Sequence, residues 1–368
     1  MKILILTNVG AGLYSFRKEL LERIVQEGHT LYVSFSDDPY RKMIENIGCQ
    51  YIETTVDRRG INPLKDISLF RKYRKLLKTL QPDIVLTYTI KPNVYGGVAC
   101  QLAKIPYIST VTGMRAAFEK KGLLRFIAAS LCRIGQKRVR ALFFQNERDM
   151  ELFRCLKIGR NYHKIAGSGV NLAQHSFEPY PEEGTSIKIT FVGRIMKIKG
   201  IEELLAMAQG IKDKYPDVEI NLIGAYDDDY VAAVESAQKA GYIRYLGPQK
   251  DMHPFYKESW AVLMPSHLEG MSNVCLEAAA TGRVVLASKI PGCIETFEEG
   301  VSGLGFEVEN AVSLQHTVEA FLDIPYAQKA AMGAAGRLKM EREFDRKHIV
   351  NAYMNELKKV ERNYEKAI

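Results

Sequence analysis

Short apolar runs alternate with helical patterns almost from one end of the chain to the other, and this alternation restricts the fold more than any other feature. Five runs, KILILT, TLYVSF, DIVLTY, PYISTV and ALFFQN, fall in the first half, and four more, IKITFVG, VEINLIG, YIRYLG and WAVLMPS, in the second. Strands that are apolar along nearly their whole length must be covered on both faces, and helices of about 10 to 20 residues between them are what covers a parallel sheet. The pattern predicts a doubly wound α/β sheet, twice.

The length of 368 residues suits about two domains at roughly 150 residues apiece. The break falls at GSGVNLAQHSFEPYPEEGTS, Gly167 to Ser186, where prolines, glycines and acids replace helical periodicity, so the stretch reads as an interdomain linker. The predicted domains are residues 1–168 and 169–345. Beyond them, RKHIVNAYMNELKKVERNYEKAI sets Ile349, Val350, Tyr353, Met354, Leu357 and Val360 on one helical face. A helix over 346–368 could cap the second domain or cross back to the first, and the domain assignment takes the crossing.

Several classes are excluded by composition. A hydrophobic fraction of 46% and a charged fraction of 26% are ordinary for an ordered globular chain. The six cysteines form no C-x-x-C pair and the seven histidines show no metal spacing, which argues against disulfide and zinc frameworks. MKILILTNVG lacks the longer apolar core of a signal peptide, and no run approaches the ~20 apolar residues of a membrane span. The expected location is cytoplasmic, with any membrane contact peripheral. A net charge of +8 suits phosphate, anionic lipid or nucleic acid, but no nucleic-acid module is present.

Open α/β sheets bind ligands at the carboxyl ends of their strands, and two such domains facing one another enclose a cleft. After the run WAVLMPS, the stretch EGMSNVCLE places Glu269 and Glu277 eight residues apart. SNVCLEAAATG reads as a helix capped by Ser272, with Gly282 just past its end. The turn Gly270, Met271, Ser272 and Asn273 then presents backbone N–H groups at a helix start, a place that favours phosphate. Carboxylates on either side of an anion site suit a nucleotide sugar, which carries vicinal hydroxyls on both sides of its diphosphate. FVGRIMKIKG places Arg194 and Lys199 after another strand, where two cations would hold the diphosphate and neutralise a leaving nucleotide.

GRIMKIKG, PSHLEGMSNVCLEAAATG with its E-x7-E pair, and SKIPGCIETFEEGVSGLGF with a Gly-x-x-Glu segment together resemble the retaining glycosyltransferases of family 4, over nearly the whole chain. The resemblance implies the GT-B fold, two Rossmann-like domains facing across a cleft. It also implies the assignment of Arg194 and Lys199 to the diphosphate of a UDP-sugar donor, Glu277 to the ribose and Glu269 to the transferred sugar. Gly193, Gly270, Met271, Ser272 and Asn273 would add contacts to the nucleotide sugar, and Gly10 would lie in a first-domain loop closing over the reaction centre. NVGAGLYSFR, DRRGINP and YTIKPNVYG are similar to the branch that adds hexoses or N-acetylhexosamines to lipid-linked precursors of bacterial capsule, exopolysaccharide or glycan. The implied acceptor is a sugar on a polyprenyl diphosphate, with Arg58, Arg59 and Lys91 placed to meet its charge. Many members carry a first-domain histidine beside the sugar. STVTGMRAAF has none, with Thr112, Gly113 and Arg115 in that region, so no general base is named.

Two stretches imitate other sites. GAGLYS has Ser15 where a dinucleotide fingerprint needs its third glycine. YDDDY, Tyr226 to Tyr230, imitates a metal-binding Asp-x-Asp motif but is expected to cap a helix start; no metal or other cofactor is expected. KKGLLRFIAASLCRIGQKRVRALFF joins Lys120, Lys121, Arg125, Arg133, Lys137, Arg138 and Arg140 to an apolar face, reading either as an interfacial helix on anionic lipid or as a helix covering the first sheet. Two rival functions share these features: a non-hydrolysing UDP-sugar epimerase of similar fold, and an inactive sugar-nucleotide-binding protein.

Overall fold

The computed structural model describes residues 1–57, 62–112, 118 and 122–365. The chain divides into two compact units, Met1–Ser168 with Lys347–Ile368, and Gly169–Arg346.

The first unit is built on seven parallel strands: β1 (Lys2–Leu6), β2 (Thr30–Phe35), β3 (Gln50–Glu53), β4 (Ile84–Tyr88), β5 (Tyr107–Val111), β6 (Ala141–Phe144) and β7 (Tyr162–Lys164), in the order β3-β2-β1-β4-β5-β6-β7. The second has six, β8 (Lys188–Val192), β9 (Glu219–Ile223), β10 (Arg244–Gly247), β11 (Ala261–Met264), β12 (Val284–Ser288) and β13 (Gly303–Phe306), in the order β10-β9-β8-β11-β12-β13. In each sheet the winding goes one way for three strands and then reverses. The reversal lies between β1 and β4 in one unit and between β8 and β11 in the other.

Five interior strands, β4, β5, β6, β11 and β12, have every residue buried, as their continuous apolar runs require. Most polar residues inside them are paired, although Tyr88 OH and Ser288 Oγ are buried without a hydrogen-bond partner. Thr87 Oγ1 lies 2.7 Å from Asn93 Oδ1 and 2.8 Å from Ser109 Oγ, which spares the core an unsatisfied hydroxyl. Helices cover both faces of the first sheet, and the larger side chains on each face bury about 1.5 to 3 kcal/mol apiece.

The last helix, Arg346–Glu365, belongs to the first unit's core. Ile349, Tyr353, Met354, Leu357 and Val360 are buried there, and Tyr353 OH lies 2.5 Å from Thr110 Oγ1. The stretch Gly167–Ser186 is irregular but is not a free linker. His175 is buried, and Arg283, fully buried, donates to the carbonyls of Glu178 (3.1 Å) and Pro179 (2.8 Å) as well as those of Tyr256, Lys257 and Gly282. The Arg283 guanidinium thereby fastens this stretch to the body of the second unit, with the backbone carbonyls of Glu178 and Pro179 as acceptors.

Candidate active site

In the second unit the loops leaving β8 and β11 sit side by side where the strand order reverses, the place where a doubly wound sheet opens a crevice. Gly193 follows β8 and its N–H donates to Ile223 O at 2.9 Å, tying the loop to β9. The short turn Lys197–Lys199 then ends at Gly200, whose φ of +71° favours glycine. A Cβ at Gly200 would stand 2.1 Å from Pro265 O, so only glycine lets this turn approach the exit of β11 so closely. Through that approach Lys199 Nζ donates to Glu269 Oε1, with both side chains mostly buried.

Arg194, by contrast, is more than half exposed and pairs with Asp227 from the loop after β9. Asp228 Oδ2 accepts the Lys197 N–H at 3.1 Å. Asp227 and Asp228 of YDDDY therefore hold the β8 loop; the helix Val231–Lys239 that follows has Tyr230 at its N-cap and no side-chain cap, which corrects the capping expectation.

Ser272 caps the helix Asn273–Ala280, its Oγ accepting the Cys275 N–H at 3.3 Å. Its own N–H is not free for an anion: it donates to Gly292 O at 2.7 Å. Any cradle at this helix start must do without that group. Gly292, at φ +89°, packs so tightly that a Cβ would lie 2.9 Å from Gly270 O and 3.0 Å from Glu269 O, and its N–H donates to Glu295 Oε2 at 2.6 Å. The Gly-x-x-Glu segment thus buttresses the turn that carries Glu269. Met271 is buried, and Asn273 Oδ1 is buried without a hydrogen-bond partner. Beneath the turn, the hydrogen bond that the Cys293 thiol makes to Cys275, together with burial, holds that thiol well above its ordinary range, so it stays protonated beside Glu269 and Lys199.

Glu277 lies one turn into the same helix with about a fifth of its side chain accessible. Tyr256 OH donates to its Oε2 at 2.9 Å. Burial pushes its carboxyl up to about 7, opposed by the Tyr256 bond and by the charge of Arg346. His175 Nε2 stands 3.9 Å from Glu277 Oε1; burial first, then Arg346, pushes that imidazole down to about 4, so it is neutral. Tyr256, His175 and Arg346 carry no motif of their own and are brought in by folding alone. Among the described residues no group of three or more His, Cys, Asp or Glu is arranged to hold a metal.

In the first unit, Gly10 opens the helix Gly10–Gln26 and is not in a loop; its N–H donates to Asp38 Oδ2 at 2.6 Å, and a Cβ would strike Phe35 and Asp38. That helix start already holds a carboxylate of its own chain. Lys91 Nζ donates to Asp66 Oδ1 at 2.7 Å, both largely buried, so an acceptor's diphosphate would have to compete with Asp66 for it. Thr112 is exposed; Arg58, Arg59, Gly113, Arg115, Lys120 and Lys121 lie outside the described residues. Among its described residues the basic apolar stretch is a helix over Leu123–Gly135 and then enters β6. Ala129 and Cys132 of this helix are buried, whereas Phe126 (67% exposed), Ile127, Leu131 and Ile134 (56%) face outward. The helix covers the sheet with these small residues and keeps these four large apolar ones outside.

Residues 174–339 match the family described as Glycosyl transferases group 1, and residues 2–146 the one described as Glycosyl transferase 4-like. An N,N'-diacetylbacillosaminyl-diphospho-undecaprenol alpha-1,3-N-acetylgalactosaminyltransferase of Campylobacter jejuni is 27% identical over 341 residues, 88% of this chain and 90% of its own. The capsular polysaccharide biosynthesis glycosyltransferase CapM of Staphylococcus aureus is 25% identical, over 77% of this chain and 80% of its own. Among solved structures, Anabaena HepE in complex with UDP and glucose superposes with a TM-score of 0.79 at 18% identity, over 98% of this chain and 100% of that one, a likeness of fold.

Proposed function

The chain belongs to the family-4 glycosyltransferases and is a transferase of the GT-B fold, and on that premise we propose that it moves an N-acetylhexosamine or hexose from a UDP-sugar, with retention, to a sugar carried on a polyprenyl diphosphate. The observation that carries the donor half is the meeting of Lys199 and Glu269 where the strand order reverses, with the helix start at Ser272 alongside.

Each cation there has a carboxylate partner in this structure, Glu269 for Lys199 and Asp227 for Arg194. A diphosphate entering the crevice would compete for both, and Glu269 would then accept a hydroxyl of the transferred sugar. Glu277 would accept the ribose hydroxyls. As the bond from the anomeric carbon to the phosphate oxygen breaks, Lys199 and Arg194 neutralise the leaving diphosphate. The acceptor oxygen bonds to the carbon on the same face, and its proton passes to the leaving phosphate oxygen, so no separate base is needed. No metal takes part in this reading.

The acceptor half is supported by the names of the Campylobacter and Staphylococcus relatives, which point to lipid-linked sugars and capsule. No described helix is long and apolar enough to cross a membrane. The outward Phe126, Ile127, Leu131 and Ile134, with Arg125, Arg133, Lys137 and Arg138 exposed around them, suit peripheral contact with an anionic membrane on its cytoplasmic face. Incubating the protein with UDP-N-acetylhexosamine tests the reading: turnover should require a lipid-linked acceptor, whereas epimerised donor in its absence would overturn it.

A further inference from the structure

Of the two oxygens of Glu277, Oε2 is taken by Tyr256 OH at 2.9 Å. The other, Oε1, faces His175 Nε2 at 3.9 Å, too far for a direct hydrogen bond. His175 is 6% exposed, and its Nδ1 is buried with no hydrogen-bond partner. The residue is held at both ends of its backbone: its N–H donates to Asn171 O at 2.9 Å, and its carbonyl accepts from Arg337 at 2.9 Å.

Those facts select a tautomer. In a neutral imidazole one nitrogen carries the proton, and a buried N–H without an acceptor is harder to tolerate than a buried lone pair without a donor. The proton therefore belongs on Nε2, aimed toward the open oxygen of Glu277. A hydroxyl oxygen placed about 2.8 Å from each atom closes a triangle on the 3.9 Å base, donating to Oε1 and accepting from Nε2–H. Neither group alone offers that pair of complementary contacts. A lone carboxylate would accept from any hydroxyl, but the donor–acceptor pair fits one hydroxyl at one place.

We propose that His175 is a ligand-binding residue that, with Glu277, grips a single hydroxyl of the donor's ribose and so makes the site selective for ribose over deoxyribose. The inference rests on the reading of the second unit as a nucleoside-diphosphate-sugar site and adds to it a specificity residue from the stretch between the two sheets. Tyr256 fixes the carboxylate so that Oε1 is the oxygen left for the ligand.

The test measures dissociation constants by calorimetry for UDP, 2′-deoxy-UDP and 3′-deoxy-UDP with the wild type, His175→Ala and His175→Gln. The wild type should bind one deoxy analogue about tenfold or more weakly than UDP, as loss of a hydrogen bond to a charged group implies. His175→Ala should weaken UDP by about tenfold and shrink that discrimination, while His175→Gln, with an amide donor, should keep part of it. A purely structural histidine would lower the affinity for all three nucleotides alike and leave their ratio unchanged. If both variants keep the wild-type ratio, or the wild type shows none, the role of His175 is overturned while the donor site stands. If the wild type binds none of UDP, GDP, ADP and dTDP, the donor reading falls and this inference with it. Should His175→Ala fail to fold, the wild-type ratio and His175→Gln decide the matter.

Discussion

Replacing Glu277 by Gln should make the ligand-free protein more stable and its nucleotide binding weaker. Burial holds the Glu277 carboxyl at about 7 in the folded protein, against 4.5 for an exposed carboxyl of the unfolded chain. Between those values the folded state keeps a proton that the unfolded state has lost, so stability falls as pH rises from 4.5 through 7 and then levels off. The difference of about 2.5 on the pH scale, at ~1.36 kcal/mol each, amounts to about 3 kcal/mol above pH 7 and nothing below 4.5. Glutamine carries no charge to desolvate, and its carbonyl can still accept from Tyr256. Glu277→Gln should therefore unfold at nearly the wild-type temperature at pH 4.5 and roughly 6 to 12 °C higher at pH 8, taking about 2 to 4 °C per kcal/mol for a unit of this size. Scanning calorimetry across that range reads the effect, and calorimetric titration with UDP should show affinity reduced about tenfold or more. Hydroxyl donors favour the ionised carboxylate, so wild-type binding near pH 7 should also release a proton. A variant that is less stable than the wild type at pH 8, or whose gain does not change with pH, would refute the assignment of Glu277 as a desolvated carboxylate kept for a ligand.

Lys199→Ala and Arg194→Ala should each lower turnover by at least about a hundredfold with the fold intact, because in the proposed reaction both would stabilise charge on the leaving diphosphate; near-normal kcat removes the residue from that role. Arg283→Lys should cost about 3 kcal/mol or more in denaturant unfolding, since one ammonium cannot serve the five carbonyls the guanidinium now satisfies. Phe126→Ser with Ile134→Ser should abolish sedimentation with anionic vesicles at low salt and leave nucleotide affinity unchanged, whereas undiminished sedimentation would place the membrane contact elsewhere.

Most interior strands are legible because burial on both faces demands an unbroken apolar run; Val284–Ser288 of β12 carries the same signal but is missing from the nine runs quoted above. The edges β3 and β7 were not legible: Gln50–Glu53 and Tyr162–Lys164 are only partly buried and mix polar with apolar residues. For the last helix, periodicity identified the buried face but could not alone choose between the two bodies; the domain assignment took the first, where it meets partners as remote as Thr110. In the candidate site the turn Glu269–Asn273 and the β8 loop could be read because each is contiguous. Their supports could not. Asp227 reaches Arg194 across 33 residues, and Tyr256 reaches Glu277 across 21, so only folding reveals that YDDDY holds a loop and that one oxygen of Glu277 is occupied. Ser272 shows the same limit in reverse: its cap is local and readable, while the commitment of its N–H to Gly292 is not.

The stereochemistry of transfer tests the central claim most directly. The protein, UDP-α-N-acetylhexosamine and a synthetic polyprenyl-diphosphate-linked sugar would be incubated with and without chelator, and the anomeric coupling of the product read by NMR. The account predicts an α-linked disaccharide on the lipid, formed equally well with chelator present. A β-linked product, or turnover abolished by chelator and restored by a divalent metal, would contradict it.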